Sequence, residues 1–571
     1  MTGELRSAVK IGLLGGLAAW HVSLVGMLET FAARRLIGTT ITLGYALLVA
    51  LILLVGYLAA RRAARPRQAL LNGLIAGGMV GLAMSALALL VAEVNLRPIL
   101  LAASPRLVQL LTLGRGVGVG LLFPLIGGLG FGILGGGLAA LPPLWQHTIA
   151  TAVVTTVLVG LLRDVLVVVL PNALNQVLFS RSANSGLTVL GAVIVLLLTG
   201  AAVWARAMYR PAPRKPAPAA AARRSAVDWH LAPLAVLGVV LLTFPLWGGL
   251  FLSNVADFVG FFVIMGLGLN LVVGFAGLLD LGYVAFYAIG AYTMAVLTSP
   301  DLGLFELTFW EALPFSMLAA MLAGVLLGLP VLRMRGDYLA ITTLGFGEII
   351  RILALSDFLK PYIGGAQGVT RIARPQIGGF VADTPQEFYY LILAGCLLAW
   401  FIAARLKTSR LGRAWMAIRE DEDVAQAMGI NRVTAKLTAF AIGAFLGGLS
   451  GALFASMVNS VVPRSFELLI SINVLALIIV GGMGSLPGVV VGALALVGLP
   501  ELLREFREYR LLVYGVVLVV MMLYRPEGLW PEARVARELH EAEEESVAEE
   551  IPAAVPRATP PREAGTPPVE G

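Results

Sequence analysis

The sequence predicts an all-α polytopic membrane protein, and three observations support this prediction. Of the 571 residues, 58% are hydrophobic and only 13% are charged, whereas soluble domains contain about 25% charged residues. Apolar runs of about 20 residues, enough for one helical crossing of a bilayer, recur along the whole chain. The 65 glycines suit the close packing of membrane helices. We therefore expect roughly five or six transmembrane helices in an extra N-terminal membrane module and about ten in a second module.

The N-terminal module comprises residues 1–205. Its first apolar run is the weakest, because Arg34 and Arg35 follow it on the side that should face away from the cytoplasm. The predicted spans are Val9–Leu28, Thr40–Ala60, Leu70–Val91, Gly116–Ala140, Thr148–Leu170 and Gly186–Ala205. Residues 206–230 are rich in Arg, Pro and Ala, and this composition is typical of an extended cytoplasmic linker.

The second module comprises residues 231–531. Its predicted spans are Leu231–Phe251, Phe258–Ala276, Leu279–Leu297, Ala312–Leu332, Tyr338–Leu355, Phe388–Ala404, Leu437–Val458, Leu468–Gly482, Pro487–Leu499 and Leu511–Tyr524. Arg333, Arg335 and the basic stretch 405–436 then face the cytoplasm. Arg504, Arg507 and Arg510 fall on the opposite side, so the prediction of the last two spans conflicts with the charge rule. The acidic, Pro-rich tail 532–571 is predicted to be disordered and cytoplasmic.

The composition also excludes several classes of function. The chain has one cysteine, Cys396, and four scattered histidines, so we predict no disulfide framework and no metal site. The sequence contains no nucleotide-binding loop and no catalytic motif. The net charge of +7 reflects basic membrane loops rather than a nucleic-acid surface. A transporter or channel component that takes its energy from elsewhere fits these absences, and no catalytic residue is predicted.

A charged segment between the apolar runs, residues 409–431 (SRLGRAWMAIREDEDVAQAMGIN), has helical periodicity. Its apolar residues are spaced three, four or seven apart, as on one face of a helix. They are Ala414, Ala417, Ile418, Ala425 and Met428. The pattern indicates a short amphipathic helix at the membrane surface to which a soluble partner can bind. The alternative is an ordinary solvated loop.

Polar residues within the apolar runs mark a candidate translocation path, because such residues are costly in lipid and tend to line a pathway. Near residue 280, Gly274, Gly277 and Gly282 predict a broken or re-entrant helix, and a glycine run after Asn473 predicts another. Glu348 and Arg351 share a helical face and can pair. The candidate path residues are Asn270, Asp280, Tyr283, Tyr287, Thr342, Glu348, Arg351 and Asn473. The alternative for the glycines and tyrosines is helix packing and interfacial anchoring.

Four ordered segments of the second module resemble one family. They are GLGLNLVVGFAGLLDLGYVAFYAIGAYTMAVL (266–297), RMRGDYLAITTLGFGEIIRIL (333–353), SRLGRAWMAIREDEDVAQAMGIN (409–431) and VGGMGSLPGVVVGA (480–493). Together with RPEGLWP (525–531) they are similar to the M-type permease subunit of high-affinity branched-chain amino-acid importers of the ATP-binding-cassette (ABC) class. Residues 1–210 match none of these segments, and we assign them no role.

The resemblance implies a subunit of a bacterial plasma-membrane importer that binds no cofactor of its own. Its partners would be an H-type permease subunit, two ABC ATPase subunits that use ATP, an extracytoplasmic solute-binding protein and membrane lipid. Residues 409–431 would be the cytoplasmic segment that docks on an ATPase. The residues implied in coupling are Arg413, Ala414, Ile418, Arg419, Glu420, Asp421, Glu422, Ala425, Met428 and Gly429.

The sequence is compatible with three hypotheses about the transported solute and the transport mechanism. The first is a permease for branched-chain or other hydrophobic amino acids. The second keeps the importer class and changes the substrate to urea or short amides. The third is a self-sufficient secondary transporter or channel, which predicts an inverted repeat, and the unequal polar content of the two modules counts against it.

Overall fold

The structure, a computed structural model, describes residues 2–531 except 39–40, 62, 64, 99, 101, 181–184, 209–230, 332–333, 335, 503–509 and 526. Most of the predicted linker and the whole predicted tail 532–571 lie outside the described residues, as do Arg333, Arg335, Arg504 and Arg507. The described chain divides into two compact units. The first runs to Leu252 and includes Leu502, and the second contains Ser253–Glu501 and the described residues from Arg510 onward.

The first unit consists of helices joined by short connections. The helices are α1 (Thr2–Leu24), α2 (Met27–Phe31), α3 (Leu43–Ala60), α4 (Pro66–Glu93), α5 (Pro105–Leu111), α6 (Val117–Gly120), α7 (Leu122–Ala140), α8 (Pro143–Leu161), α9 (Arg163–Val169), α10 (Asn172–Leu178) and α11 (Val189–Met208). Strands β1 (Arg35–Ile37), β2 (Ile41–Thr42) and β3 (Ser185–Leu187) form a small sheet in the order β2-β1-β3, antiparallel between β1 and β2 and parallel between β1 and β3. The span predicted over Thr148–Leu170 is divided between α8 and α9.

Helix α12 (Leu231–Asn270) joins the spans predicted as Leu231–Phe251 and Phe258–Ala276. Pro245 lies inside it, and Gly249 interrupts the helical backbone with φ +66° and ψ −176°. The described helices that follow are α13 (Val284–Thr298), α14 (Phe309–Val331), α15 (Asp337–Leu355), α16 (Lys360–Ile363), α17 (Pro385–Thr408), α18 (Arg410–Glu420), α19 (Glu422–Ala427), α20 (Arg432–Val458), α21 (Leu468–Gly481), α22 (Leu486–Ala493), α23 (Leu499–Leu502) and α24 (Arg510–Tyr524).

Irregular helical turns and short strands complete the second unit. Leu271–Phe275 and Leu494–Gly498 are π-helical, whereas Gly365–Gln367 and Pro463–Phe466 are 3-10 turns. Strand β4 (Val369–Thr370) pairs antiparallel with β7 (Ser460–Val461), and β5 (Gln376–Ile377) pairs antiparallel with β6 (Phe380–Val381).

Twelve helical segments in the described part of the chain are long and apolar enough to cross a membrane. Six precede the linker, as predicted, and six follow it. Two of the ten spans expected in the second module, Leu231–Phe251 and Phe258–Ala276, lie within the interrupted helix α12. Three others, Val284–Thr298, Leu486–Leu502 and Arg510–Tyr524, are shorter apolar helices. The all-α membrane architecture is confirmed.

The first unit is organised around a column of glycines between α4 and α7. A Cβ on Gly77 would lie 2.6 Å from the Cα of Gly132, and a Cβ on Gly132 would lie 2.5 Å from the carbonyl oxygen of Gly73. Gly81 faces Gly128 in the same way. The two backbones are therefore in direct contact, as in small-residue interfaces of membrane helices.

In the second unit, α20 is the central helix. A Cβ on Gly448 would lie 2.5 Å from the Cβ of Ala320 in α14 and 3.0 Å from the carbonyl oxygen of Ser316. The hydroxyl of Ser450 donates to the carbonyl oxygen of Phe261 at 3.1 Å, which ties α20 to α12. Small residues and hydroxyls thus bring the helices of this unit together.

Replacing Gly132 by Leu should destabilise the first unit, because the new side chain has no space against α4. Overpacking of this kind costs about 1–3 kcal/mol, which corresponds to a fall of roughly 2–12 °C in the thermal unfolding midpoint. Gly130→Leu is the matched control, since Gly130 lies in the same helix and no atom lies within 4 Å of its added Cβ. The midpoint of the full-length chain in detergent measures both, and equal midpoints would contradict the glycine contact.

Candidate functional site

Helix α12 ends in an irregular turn, which confirms the helix break predicted around Gly274 and Gly277. Leu271–Phe275 is π-helical, residues 276–283 have no regular helix, and Gly277 adopts φ +69°. Helix α13 therefore begins at Val284, five residues later than the predicted Leu279. A break of this kind removes helical partners from backbone N–H and C=O groups, and in a membrane interior other groups must replace them.

Asn270 connects this break to a second one. Its side chain is fully buried, and its Oδ1 accepts a hydrogen bond from the N–H of Gly484 at 2.9 Å. Gly484 lies in the non-helical residues 482–485 between α21 and α22, where the sequence predicts the other break. The Nδ2 of Asn270 has no hydrogen-bond partner among the described residues. One amide side chain thus joins the two interrupted helices.

Loop 276–283 is also fixed from α15. The N–H of Leu281 donates to Thr343 Oγ1 at 3.0 Å, and a Cβ on Gly282 would overlap the Thr343 carbonyl. Asp280 is fully buried, and its Oδ1 accepts from the N–H of Gly282 at 2.9 Å. Thr343 therefore holds this loop to α15.

The predicted path residues fall into different environments. The Thr342 hydroxyl donates to the carbonyl oxygen of Tyr338 at 2.9 Å and also lies 2.9 Å from the sulfur of Met334. Tyr283 is buried and donates to the carbonyl oxygen of Gly443 at 2.7 Å. Tyr287 is buried against Phe454 and Phe466, with ring centroids 5.4 and 5.3 Å away. Asn473 is half-buried on α21. Both tyrosines thus belong to the helix packing.

Glu348 and Arg351 form the predicted ion pair on α15. Arg351 Nε lies 3.0 Å from both carboxylate oxygens of Glu348. The two side chains are 41% and 28% exposed, and the same helix exposes Ile341, Ile349 and Ile352. A polar pair on an open apolar face of a membrane helix is typical of a surface that lines a pathway or meets another membrane subunit.

The segment predicted to be a surface helix forms α18 and α19. Ser409 caps α18, accepting from the N–H of Gly412 at 3.1 Å, and Asp421 ends α18 and caps α19, accepting from the N–H of Asp423 at 2.9 Å. Trp415 anchors the segment: it is fully buried, and its Nε1 donates to the carbonyl oxygen of Ala435 at 2.8 Å.

The predicted coupling residues divide between an inner and an outer face. Ile418 and Ala425 are buried with Trp415, Ala414 and Glu422 are half-buried, and the remaining predicted residues are exposed. The exposed ones are Arg413, Arg419, Glu420, Asp421, Met428 and Gly429. Met428 is 80% exposed and the neighbouring Val424 58%. The outer face of α18 and α19 therefore presents apolar side chains among charged ones, a composition suited to a protein partner.

Arg419 joins this surface segment to the break after α12. Its Nη1 donates to the carbonyl oxygen of Gly274 at 2.6 Å. A Cβ on Gly277 would lie 2.8 Å from Arg419 Cγ. Helix α18 and the irregular turn are therefore in direct contact.

A buried ion pair holds α19 against α20. Lys436 is 2% exposed, and its Nζ lies 2.8 Å from Glu422 Oε1. Arg432 lies 3.8 Å from Glu422 Oε1 and 3.8 Å from Asp423 Oδ1. Lys436 is a functional candidate that sequence reasoning missed, since its partner is fourteen positions away in a different helix (436 − 422).

A cavity of about 420 Å³ lies between this segment and loop 276–283. It is lined by Ala276, Gly277, Leu278, Leu279, Met334, Gly336, Leu339, Ile418, Arg419, Asp421, Glu422, Asp423 and Lys436. Within the described residues no group of three or more His, Cys, Asp or Glu side chains is arranged to hold a metal ion.

Known proteins resemble this chain over about half of its length. Residues 251–522 match the family described as branched-chain amino acid transport system, permease component. The chain is 42% identical over 324 residues to the LivM permease protein of the high-affinity branched-chain amino acid transport system of Escherichia coli K12. That alignment covers 53% of this chain and 75% of LivM.

More distant relatives carry similar descriptions. A probable branched-chain amino acid transport permease protein LivM from Methanocaldococcus jannaschii is 26% identical over 263 residues, 43% of this chain and 74% of its own length. The high-affinity branched-chain amino acid permease protein LivH of Salmonella typhimurium is 23% identical over 281 residues, 47% of this chain and 90% of its own length. No solved structure matches the chain significantly.

Replacing Lys436 by Met should destabilise the second unit, because Glu422 would keep its charge in a largely buried position. Removing one partner of a buried pair costs about 3–5 kcal/mol, and the nearby Arg432 should reduce that cost. The double variant K436M/E422Q should recover part of the loss. Thermal midpoints of the four proteins in the cycle measure the coupling, and Arg432→Met is the control, with an expected cost below about 1 kcal/mol. Strictly additive effects would mean that the pair does not hold α19.

Proposed function

The chain belongs to the family of branched-chain amino acid transport system permease components, and on that premise we propose that it is the M-type permease subunit of an ABC importer for branched-chain or other hydrophobic amino acids. It is a multi-pass membrane protein that works with an H-type permease subunit, two separate ATPase subunits and an extracytoplasmic solute-binding protein. It resides in the bacterial plasma membrane, with the linker, α18–α19 and the tail on the cytoplasmic side. ATP is used by the partner subunits, and this chain binds no cofactor.

The hydrogen bond from Arg419 to the Gly274 carbonyl is the observation that carries this proposal. A permease without a nucleotide site needs a mechanical connection between its ATPase contact and its translocation path. Arg419 lies in the segment that is exposed toward a partner, and Gly274 lies in the helix break beside the path candidate Asn270. A rigid segment with a side chain placed directly on an irregular turn is such a connection.

The proposed sequence of motions follows this chain of contacts. An ATPase that changes conformation displaces the outer face of α18 and α19. Trp415 and Lys436 make the segment move as one piece with the start of α20, and Arg419 passes the displacement to the turn 271–275. Asn270 passes it on to Gly484, so both interrupted helices respond together. Helix breaks are suitable points for such a switch because a few residues absorb the change.

The open face of α15 is the proposed surface toward the H-type subunit and the path. It presents the Glu348–Arg351 pair between exposed isoleucines. At the interface of two membrane subunits, the apolar side chains would pack and the ion pair would remain within reach of the passing solute. In this arrangement Asn270 and Asp280 do not touch the passing solute. They stabilise the helix breaks beside the path.

Two substitutions should separate docking from transmission. Met428→Glu places a charge on the outer face and should weaken ATPase binding by at least tenfold, about 1.4 kcal/mol. Met428→Leu, which keeps the apolar surface, is its control. Arg419→Met should leave ATPase binding intact but lower the ratio of solute imported to ATP hydrolysed. Pull-down of the ATPase and parallel uptake and hydrolysis assays measure these effects. Normal coupling in the Arg419 variant would remove the assigned link.

Reconstitution of this chain with the H-type subunit, the two ATPases and the binding protein in lipid vesicles tests the function itself. We expect ATP-dependent uptake of labelled leucine and none of labelled urea. A Walker-lysine variant of the ATPases should abolish the uptake, because the chain has no other energy source. Urea uptake alone would retain the importer class and change the substrate, whereas uptake without any ATPase would contradict the ABC assignment.

A further inference from the structure

The contacts proposed to transmit motion do not account for the cavity between α18–α19 and loop 276–283. Its volume of about 420 Å³ lies within the roughly 300–1,000 Å³ range of small-molecule sites. It is formed by the same two elements that Arg419 joins, so a molecule in it would touch both sides of the connection. On the proposed function it opens on the side where imported solute is released.

The charges on the cavity wall favour a ligand that carries both signs. Arg419 uses Nη1 for Gly274, and the described residues offer no further acceptor to the rest of its guanidinium. Two positions later, Asp421 Oδ1 accepts the backbone N–H groups of Asp423 and Val424, while its other oxygen is not engaged by any described donor. Both residues line the cavity, which therefore presents a cation and an anion to the carboxylate and the ammonium of one α-amino acid.

Other ligand classes fit the wall less well. Three carboxylates, those of Asp421, Glu422 and Asp423, line the cavity with two cations, Arg419 and Lys436, so a phosphate or a nucleotide would meet an excess of negative charge. A simple cation would meet Arg419. Of the other charged side chains on the wall, Lys436 and Glu422 are paired with each other at 2.8 Å. Leu278 and Leu339 supply apolar surface to the same wall.

We propose that this cavity is a regulatory site that binds one free apolar α-amino acid from the cytoplasm and slows further import. The inference rests on the proposed function, because it takes the transported class as the ligand. The ligand carboxylate pairs with Arg419, its ammonium with Asp421, and its aliphatic side chain lies against Leu278 and Leu339. A bound molecule holds α18 at a fixed distance from loop 276–283, and the movement that couples ATP hydrolysis to import is then resisted.

The test uses vesicles that contain the complete importer, with the ATPases and ATP inside and the binding protein outside. The lumen is preloaded with unlabelled leucine, with leucinamide, which lacks the carboxylate, or with 4-methylpentanoate, which lacks the ammonium. For each compound, the initial rate of labelled-leucine uptake is divided by the rate with an empty lumen. We expect leucine to lower this ratio at least threefold and the two analogues to leave it near one.

A variant that fills the cavity makes the result specific. Met334→Trp places a larger side chain in the cavity and should restore the ratio to near one. Because the ratio is taken within each variant, a changed basal rate cancels. Leu318→Trp is the control, since Leu318 is exposed on α14 and does not line the cavity; it should keep the inhibition.

A direct measurement of leucine binding tests this inference independently of the proposed function. Equilibrium dialysis of labelled leucine against the complex without its binding protein should show one site in the wild type and its loss in Met334→Trp. If empty vesicles fail to import leucine, the proposed function is wrong, and dialysis still decides the inference. A wild-type ratio near one, equal inhibition by either analogue, or unchanged leucine binding by folded Met334→Trp would overturn it.

Discussion

Backbone hydrogen bonding inside the membrane is the constraint on which the second unit depends. Away from water, an unpaired N–H or C=O group costs several kcal/mol, so a helix can be interrupted only where other groups replace its missing bonds. Asn270 supplies an acceptor to Gly484, Thr343 supplies one to Leu281, and Arg419 supplies a donor to Gly274. These three side chains belong to three different helices. The hydrogen bonds that satisfy the broken backbone therefore also hold those helices together.

This arrangement places a surface segment in direct contact with buried helices. The amphipathic segment 409–431 is fixed by Trp415 and by the Lys436–Glu422 pair, both buried. Its contact with the helix break is a hydrogen bond to a carbonyl group that has lost its helical partner. On the proposed function, a small displacement at such a point would change which backbone groups are paired, whereas a regular helix would resist it through its whole hydrogen-bond ladder.

Much of this organisation could be predicted from the sequence, and the exceptions have physical reasons. Apolar run length predicted the spans, and glycine clusters predicted both helix breaks, because each is a local property. The period of residues 409–431 predicted a surface helix, and the spacing of Trp415 and Ile418 could also have identified its buried anchor. The Lys436–Glu422 pair and the Leu281–Thr343 hydrogen bond depend on how distant elements meet. The interruption of α12 at Gly249 was not predicted, since the apolar pattern is the same on either side of it.

The glycine column of the first unit has a consequence for how the chain is made. The face of α4 that carries Gly73, Gly77 and Gly81 is covered by α7, and α3 meets α7 through Gly56 as well. Because the ribosome completes α4 before α7, these glycine faces remain uncovered in the bilayer until α7 has been inserted. Helix α1, by contrast, already meets α4 through Gly12 and α3 through Gly15. The first three long helices can therefore associate as they are made, and α7 completes the group last.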